Sequence, residues 1–138
     1  KHKVLDAVGS DSRIGTKYFK PGYSFGGPCF PRDTRALEQV IRHQNIHSQL
    51  LTATTEYNYE HIQFQALQLY YENRDVYIFE NVCYKENSNI PIIEESAKLK
   101  IAQYLTILGK TVVIKDEEQM INEVKKEYGN IFKYQQTF

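Results

Sequence analysis

Apolar positions recur at two periods along this chain, and the change between them divides it. Over residues 34–45, Leu37, Val40 and Ile41 return at threes and fours, the spacing of one helix face. Asp33 or Thr34 is placed to cap the start of that helix. Ser48 opens a longer helical pattern that reaches residue 72. Leu50, Ala53, Tyr57, Phe64, Leu67 and Tyr71 form its main stripe, and Leu51, Ile62, Ala66 and Leu69 widen it. A stripe of that width predicts a helix buried against a domain or a subunit. Beyond Asn73 short β-type runs appear at 76–79, 111–114 and 131–134. Helical patterns at 94–108 and 117–127 separate them. The first carries Ala97, Ile101, Leu105 and Leu108 on one side, with Gly109 placed to end it. Alternating strands and helices predict a small α/β layer of parallel strands joined by right-handed crossovers. The expected organisation is a helical segment over 1–73 followed by a reduced Rossmann-like domain over 74–138.

The opening residues read as the end of a helix closed by Gly9, followed by a polar turn over 11–15. A start of this kind, without Met, is expected of a piece of a longer protein. Composition narrows the function. Lys plus Arg and Asp plus Glu both total 17, so the chain lacks the basic excess of a nucleic-acid-binding protein. No apolar run approaches the about 18 residues that cross a membrane. Two cysteines without close spacing, Cys29 and Cys83, form no disulfide framework, and a cytoplasmic location is expected.

The densest chemistry lies in residues 21–34. Pro21, Pro28 and Pro31, three glycines and Cys29 are packed together directly before a helix, with Arg32 and Asp33 following. A helix N-terminus and a neighbouring guanidinium favour a thiolate. Gly26 and Gly27 let the backbone approach a ligand closely. Asp33 is near enough in sequence to orient a water. Such a loop suits a covalent thio-intermediate at a carbonyl carbon. The same pattern also fits a small buried cysteine in a structural turn, and local sequence leaves both readings open. His43 and His47 read as a solvated face, since no third ligand has useful spacing. Cys83 is expected to pack, and Asn58 to make a fold contact.

Ser24-Phe-Gly-Gly-Pro-Cys-Phe-Pro-Arg-Asp33, together with the upstream Asp11-Ser-Arg-Ile-Gly-Thr-Lys-Tyr18, resembles the central segment of the UDP-glucose/GDP-mannose dehydrogenase family. The resemblance implies an enzyme that oxidises the C6 alcohol of a nucleotide sugar twice with NAD, through a thiohemiacetal and a thioester on a cysteine. It places Cys29 as that nucleophile and Asp33 as the acidic residue assisting the water or proton steps. It places Arg13, Tyr18, Gly26 and Lys85 on the sugar nucleotide, with Arg13 reaching a neighbouring subunit's substrate. Arg32 stands where a lysine usually approaches the NAD pyrophosphate. Phe25 and Pro28 look closer to the UDP-glucose branch than to the UDP-N-acetyl-hexosamine branch. A UDP-sugar substrate and a homodimer are implied.

The resemblance weakens after residue 75. Glu80-Asn81 stands in place of Leu-Gly, Glu94 occupies an arginine position, and Lys115-Asp116-Glu117 lacks a proline, whereas Glu95-Ser96 and Gly109 are kept. No GxGxxG occurs, and the family's lysine and asparagine helix would precede Lys1, so NAD is expected to bind mainly outside these residues and the piece alone to be inactive. The competing expectation is a divergent, non-catalytic module that binds a sugar nucleotide or serves subunit assembly.

Overall fold

The structure is a computed structural model that describes residues 2–17, 22–85 and 90–137. Three helices come first: α1 (His2–Gly9), α2 (Phe30–His43) and the long α3 (Gln49–Tyr71). Then follow β1 (Val76–Glu80), α4 (Ala97–Ile107), β2 (Thr111–Asp116), α5 (Glu118–Tyr128) and β3 (Lys133–Gln136). The strands form one parallel sheet in the order β1-β2-β3. This is the α/β class that the alternating pattern predicts.

Register explains the core. Tyr77 pairs with Val112 and Phe79 with Ile114 across β1 and β2. Alternate residues of a strand share a face, so these four point the same way and are buried. They pack in one cluster with Leu99, Ile101 and Leu105 of α4, Met120 and Val124 of α5, and Ile62 and Ala66 of α3. Val76 and Ile78 point to the opposite face and are exposed.

Four element expectations need correction. α2 begins at Phe30, not near Thr34. Pro31 falls in its first turn, where a missing N–H removes no intrahelical bond. Neither Asp33 nor Thr34 caps it: the Asp33 N–H already donates to Cys29 O (2.8 Å), and Thr34 Oγ1 donates back to Phe30 O (2.7 Å). Cys29 is the N-terminal flanking residue, without a side-chain capping bond. His43 ends α2 and His47 lies in the connector to α3, so the pair does not share a helix face. α4 begins at Ala97 and not at Glu94. Glu95 takes a left-handed conformation (φ 54) that no helix continues through, and Ser96 caps the helix by accepting from the Leu99 N–H. Gly9 is the last residue of α1, not a cap beyond it.

The largest difference lies in α3. Its buried residues are Ile62 and Ala66, from the secondary stripe. Leu50, Tyr57, Phe64, Leu67 and Tyr71 of the main stripe are exposed. α3 packs on α4 and α2 through one flank, and its stronger apolar face is turned outward.

Candidate functional site

The cysteine loop is held by α3 on one side and by the β1–α4 connection on the other. Asn58 sits in the middle of α3, where its side-chain amide pairs with the backbone of Phe25. The Phe25 N–H donates to Asn58 Oδ1 (2.9 Å), and Asn58 Nδ2 donates to Phe25 O (2.9 Å). Ser24 Oγ adds a bond to the Asn58 backbone carbonyl (2.8 Å). Residues 24–25 are therefore paired as an extended strand would be, but by a helix side chain.

The other side of the loop rests on the carboxyl end of the sheet. Gly26 lies against the backbone carbonyl of Glu95, and a Cβ there would overlap its oxygen. Gly27 (φ 83) lies on the ring of Tyr84, just past β1, and a Cβ there would strike the ring. Both glycines are thus required by close approach to the β1–α4 connection. The Tyr23 ring lies under Lys98 Nζ at 5.8 Å from its centroid. Lys98 also donates to Glu80 O (2.8 Å), the last carbonyl of β1, and to Asn81 O (3.0 Å) just beyond it. Ligands of parallel sheets bind outside these strand ends.

Of the residues named from sequence, Cys29, Arg32 and Asp33 come together at the head of α2. The Cys29 thiol is exposed. Arg32 Nε donates to Asp33 Oδ1 (2.8 Å), and both side chains are open to solvent. That bond holds the Arg32 guanidinium protonated above its already high range. Gly26 belongs to the same loop. Lys85 is exposed and follows Tyr84, on which Gly27 rests. Arg13 stands apart in the turn after α1, fixed on Asp11 through its backbone N–H (2.9 Å) and guanidinium (2.6 and 3.0 Å). The Arg13 side chain in turn keeps the Asp11 carboxyl below its ordinary range. Tyr18 lies outside the described residues.

Two of the departures after residue 75, and the Asp116 that stands beside a third, have local physical accounts. Asn81 sits at φ 52, where Gly is the usual residue and Asn among the best tolerated replacements. Glu80 accepts from Lys115 Nζ (2.7 Å), which holds the Glu80 carboxyl below its ordinary range. Asp116, buried at the end of β2, accepts the Val82 N–H (2.9 Å) through Oδ2 and so fixes the turn after β1. Glu94 is exposed beside the Glu95 turn.

Sequence reasoning passed over Tyr23, Tyr84, Glu95 and Lys98 as parts of this seat. Asn58 was expected to make a fold contact, and that contact is the cysteine loop itself. A lone asparagine inside an aromatic helix was the available signal for it. Nothing in spacing alone pairs Gly26 with a residue sixty-nine positions away (95 − 26).

Fold and site together define an α/β protein whose exposed cysteine is presented at a helix start, on a loop seated at the carboxyl end of a parallel sheet. Residues 1–60 match the central domain of the UDP-glucose/GDP-mannose dehydrogenase family. The chain is 50% identical over 56 residues to UDP-glucose 6-dehydrogenase TuaD of Bacillus subtilis, a match covering 41% of this chain and 12% of that protein. Its fold is similar to a UDP-glucose dehydrogenase from the hyperthermophilic archaeon Pyrobaculum islandicum, with TM-score 0.80 and 29% identity over 96% of this chain and 31% of the other. A GDP-mannose dehydrogenase of Pseudomonas aeruginosa matches with TM-score 0.66 and 25% identity over 92% and 30%. The similarity to the UDP-glucose/GDP-mannose dehydrogenase family is carried in sequence by the first 60 residues and in fold by nearly the whole chain. It spans about one third or less of the length of these relatives. Among the described residues no helix is long and apolar enough to cross a membrane.

Proposed function

We propose that this chain carries the cysteine loop and the nucleotide-side layer of a nucleotide-sugar 6-dehydrogenase acting on UDP-glucose, divided near Asn73. The observation that carries the reading is the exposed Cys29 at the head of α2, on a loop whose glycines fit against the strand ends of the sheet. On this reading the C6 alcohol is first oxidised to an aldehyde. The Cys29 sulfur then adds to the aldehyde carbon, and its thiol proton passes to the oxygen, giving a thiohemiacetal. Loss of a hydride from carbon and a proton from oxygen leaves a thioester. Water attacks the thioester carbon, the C–S bond breaks, and the carboxylate leaves as the thiol is restored. Asp33, held in place by Arg32, accepts the proton of that water.

The hydride acceptor would be NAD, two molecules in succession for each sugar, each taking one hydride. Arg32 fits one phosphate contact, because its Nε is committed to Asp33 while its terminal NH₂ groups face solvent. Further NAD contacts belong to chain outside these residues, and the 138 residues alone are inactive. Lys85 lies on the sugar-nucleotide side. The outward apolar face of α3 supports a homodimer assembled through that helix.

Cys29 should alkylate faster than free cysteine at neutral pH, and UDP-glucose should slow the reaction while half-buried Cys83 serves as the internal reference. A Cys29 that reacts like free cysteine and ignores UDP-glucose sinks the assignment.

A further inference from the structure

One residue meets the cysteine loop from both directions. Before the cysteine, Gly26 rests on the Glu95 backbone carbonyl. After it, Arg35 on α2 donates from its terminal guanidinium nitrogen to Glu95 Oε1 (3.2 Å). The second carboxylate oxygen, Oε2, accepts from Lys100 Nζ on α4. The Glu95 side chain is only 21% exposed, although both its partners reach solvent.

The backbone at Glu95 makes this double contact. Its φ of 54 is a conformation that residues with a Cβ rarely adopt. It persists because the next residue, Ser96, is fixed through both its backbone and its side chain. The Ser96 N–H donates to Ile93 O (3.0 Å), and Ser96 Oγ, fully buried, donates to Val82 O (2.7 Å). The left-handed turn lets Glu95 offer its carbonyl to Gly26 while its carboxylate reaches Arg35. Burial alone would push this carboxyl up, but Lys100 and then Arg35 outweigh it and keep the group below its ordinary range, hence charged at neutral pH.

We propose that Glu95 is a positioning residue for Cys29: its strained turn and its charge hold both ends of the cysteine loop in place over the carboxyl end of the sheet. The consequence for catalysis rests on the proposed role of Cys29, whereas the seating does not.

Hydrogen exchange on the 138-residue chain separates the two. The probes are the Phe25 and Asp33 amides, bonded to Asn58 Oδ1 and Cys29 O, with Val112 and Ile114 of β2 as reference. Glu95→Gly relaxes the turn and deletes the carboxylate. It should speed exchange at Phe25 and Asp33 roughly tenfold or more and leave β2 unchanged. Glu95→Asp keeps the charge and tolerates the left-handed backbone, so it should stay within roughly threefold of the native chain. Arg35→Leu, on the exposed side of α2, cuts only the second arm and should speed Asp33 more than Phe25. Loop amides that keep their native rates in Glu95→Gly, or that accelerate together with β2, overturn the proposal. Equal effects of Asp and Gly at position 95 overturn the role of charge. Should the loop loosen as expected while UDP-glucose fails to protect Cys29, the seat stands and the dehydrogenase reading falls.

Discussion

The sheet half and the helical half of this chain are built to different degrees of self-sufficiency. Leu99, Ile101, Leu105, Ile114 and Val124 are at most 1% exposed, in a layer closed by α4 and α5 over one face of the sheet. Up to Tyr71, by contrast, Gly9, Gly27, Pro31, Ile62 and Ala66 are the buried positions among the described residues. Leu50 is 77% exposed, Phe30 73% and Tyr57 71%. Yet the helical half carries the segment that matches the family, and the sheet half carries the departures from it. The lesson is that the family signal here marks a site and the apolar pattern marks a core, and the two lie in different places. The cysteine loop is a borrowed structure, held by one amide of α3 and by the turn at Glu95.

The largest expected effect tests that asymmetry directly. Leu99→Ala removes a side chain with no exposed surface from the α4–sheet core and should cost about 2–5 kcal/mol. Leu50→Ala, the same chemical change in the other half, should stay within about 0.5 kcal/mol in a monomer. Thermal melts followed by circular dichroism read both. A Leu50→Ala penalty that grows with protein concentration would show that a second copy covers α3, and the helical half would then be stable only in company. Equal costs at any concentration would erase the contrast.

This contrast also sets how much could be read without coordinates. The strands and helices after Asn73 follow from period alone, because each buries one face against its neighbours in the same stretch of chain. The start of α4 did not follow: Glu94 and Glu95 are ordinary helix formers, and the left-handed turn at Glu95 goes with contacts made only in the folded chain, Ser96 on Val82 and Gly26 on the Glu95 carbonyl. α3 misled for a related reason. Two apolar stripes share that helix, and the choice of the one that faces α4 is made by α4. At the loop, the pattern marks Cys29, Arg32 and Asp33 as a group because they are neighbours in sequence. Glu95, Tyr84 and Lys98 stay hidden because their relation to the loop exists only in the folded chain.

A middle-sized effect is expected at the first of the two supports. Asn58→Ala removes both side-chain bonds to the Phe25 backbone. Phe25 is partly open to water, so its freed groups rehydrate, and the net loss should be about 1–2 kcal/mol, from two neutral hydrogen bonds. Limited proteolysis should then cut near Phe25 well before it cuts the sheet half. Cleavage that begins in β1 or β2 would mean that Asn58 supports the whole fold and not the loop.

The smallest effect concerns pH and the second support. The Glu95 carboxyl lies below its ordinary range in the folded chain, with the cations of Lys100 and Arg35 prevailing over burial. An unfolded glutamate binds its proton at higher pH than the folded one. The stabilisation is therefore complete above the ordinary carboxyl range and disappears as pH falls through the lower folded value. Glu95→Gln is close to the protonated form in shape and charge. Native chain and variant should differ in Tm at pH 7, and the difference should shrink steadily as the pH is lowered below the ordinary glutamate range. Glu80 and Asp11 also lie below their ordinary ranges, and both melts will fall together in acid for that reason, which is why the difference and not the absolute Tm is the measure. A gap that stays constant into acid would show that the Glu95 charge does not hold the loop, and would leave the backbone turn as the only link between the halves at that point.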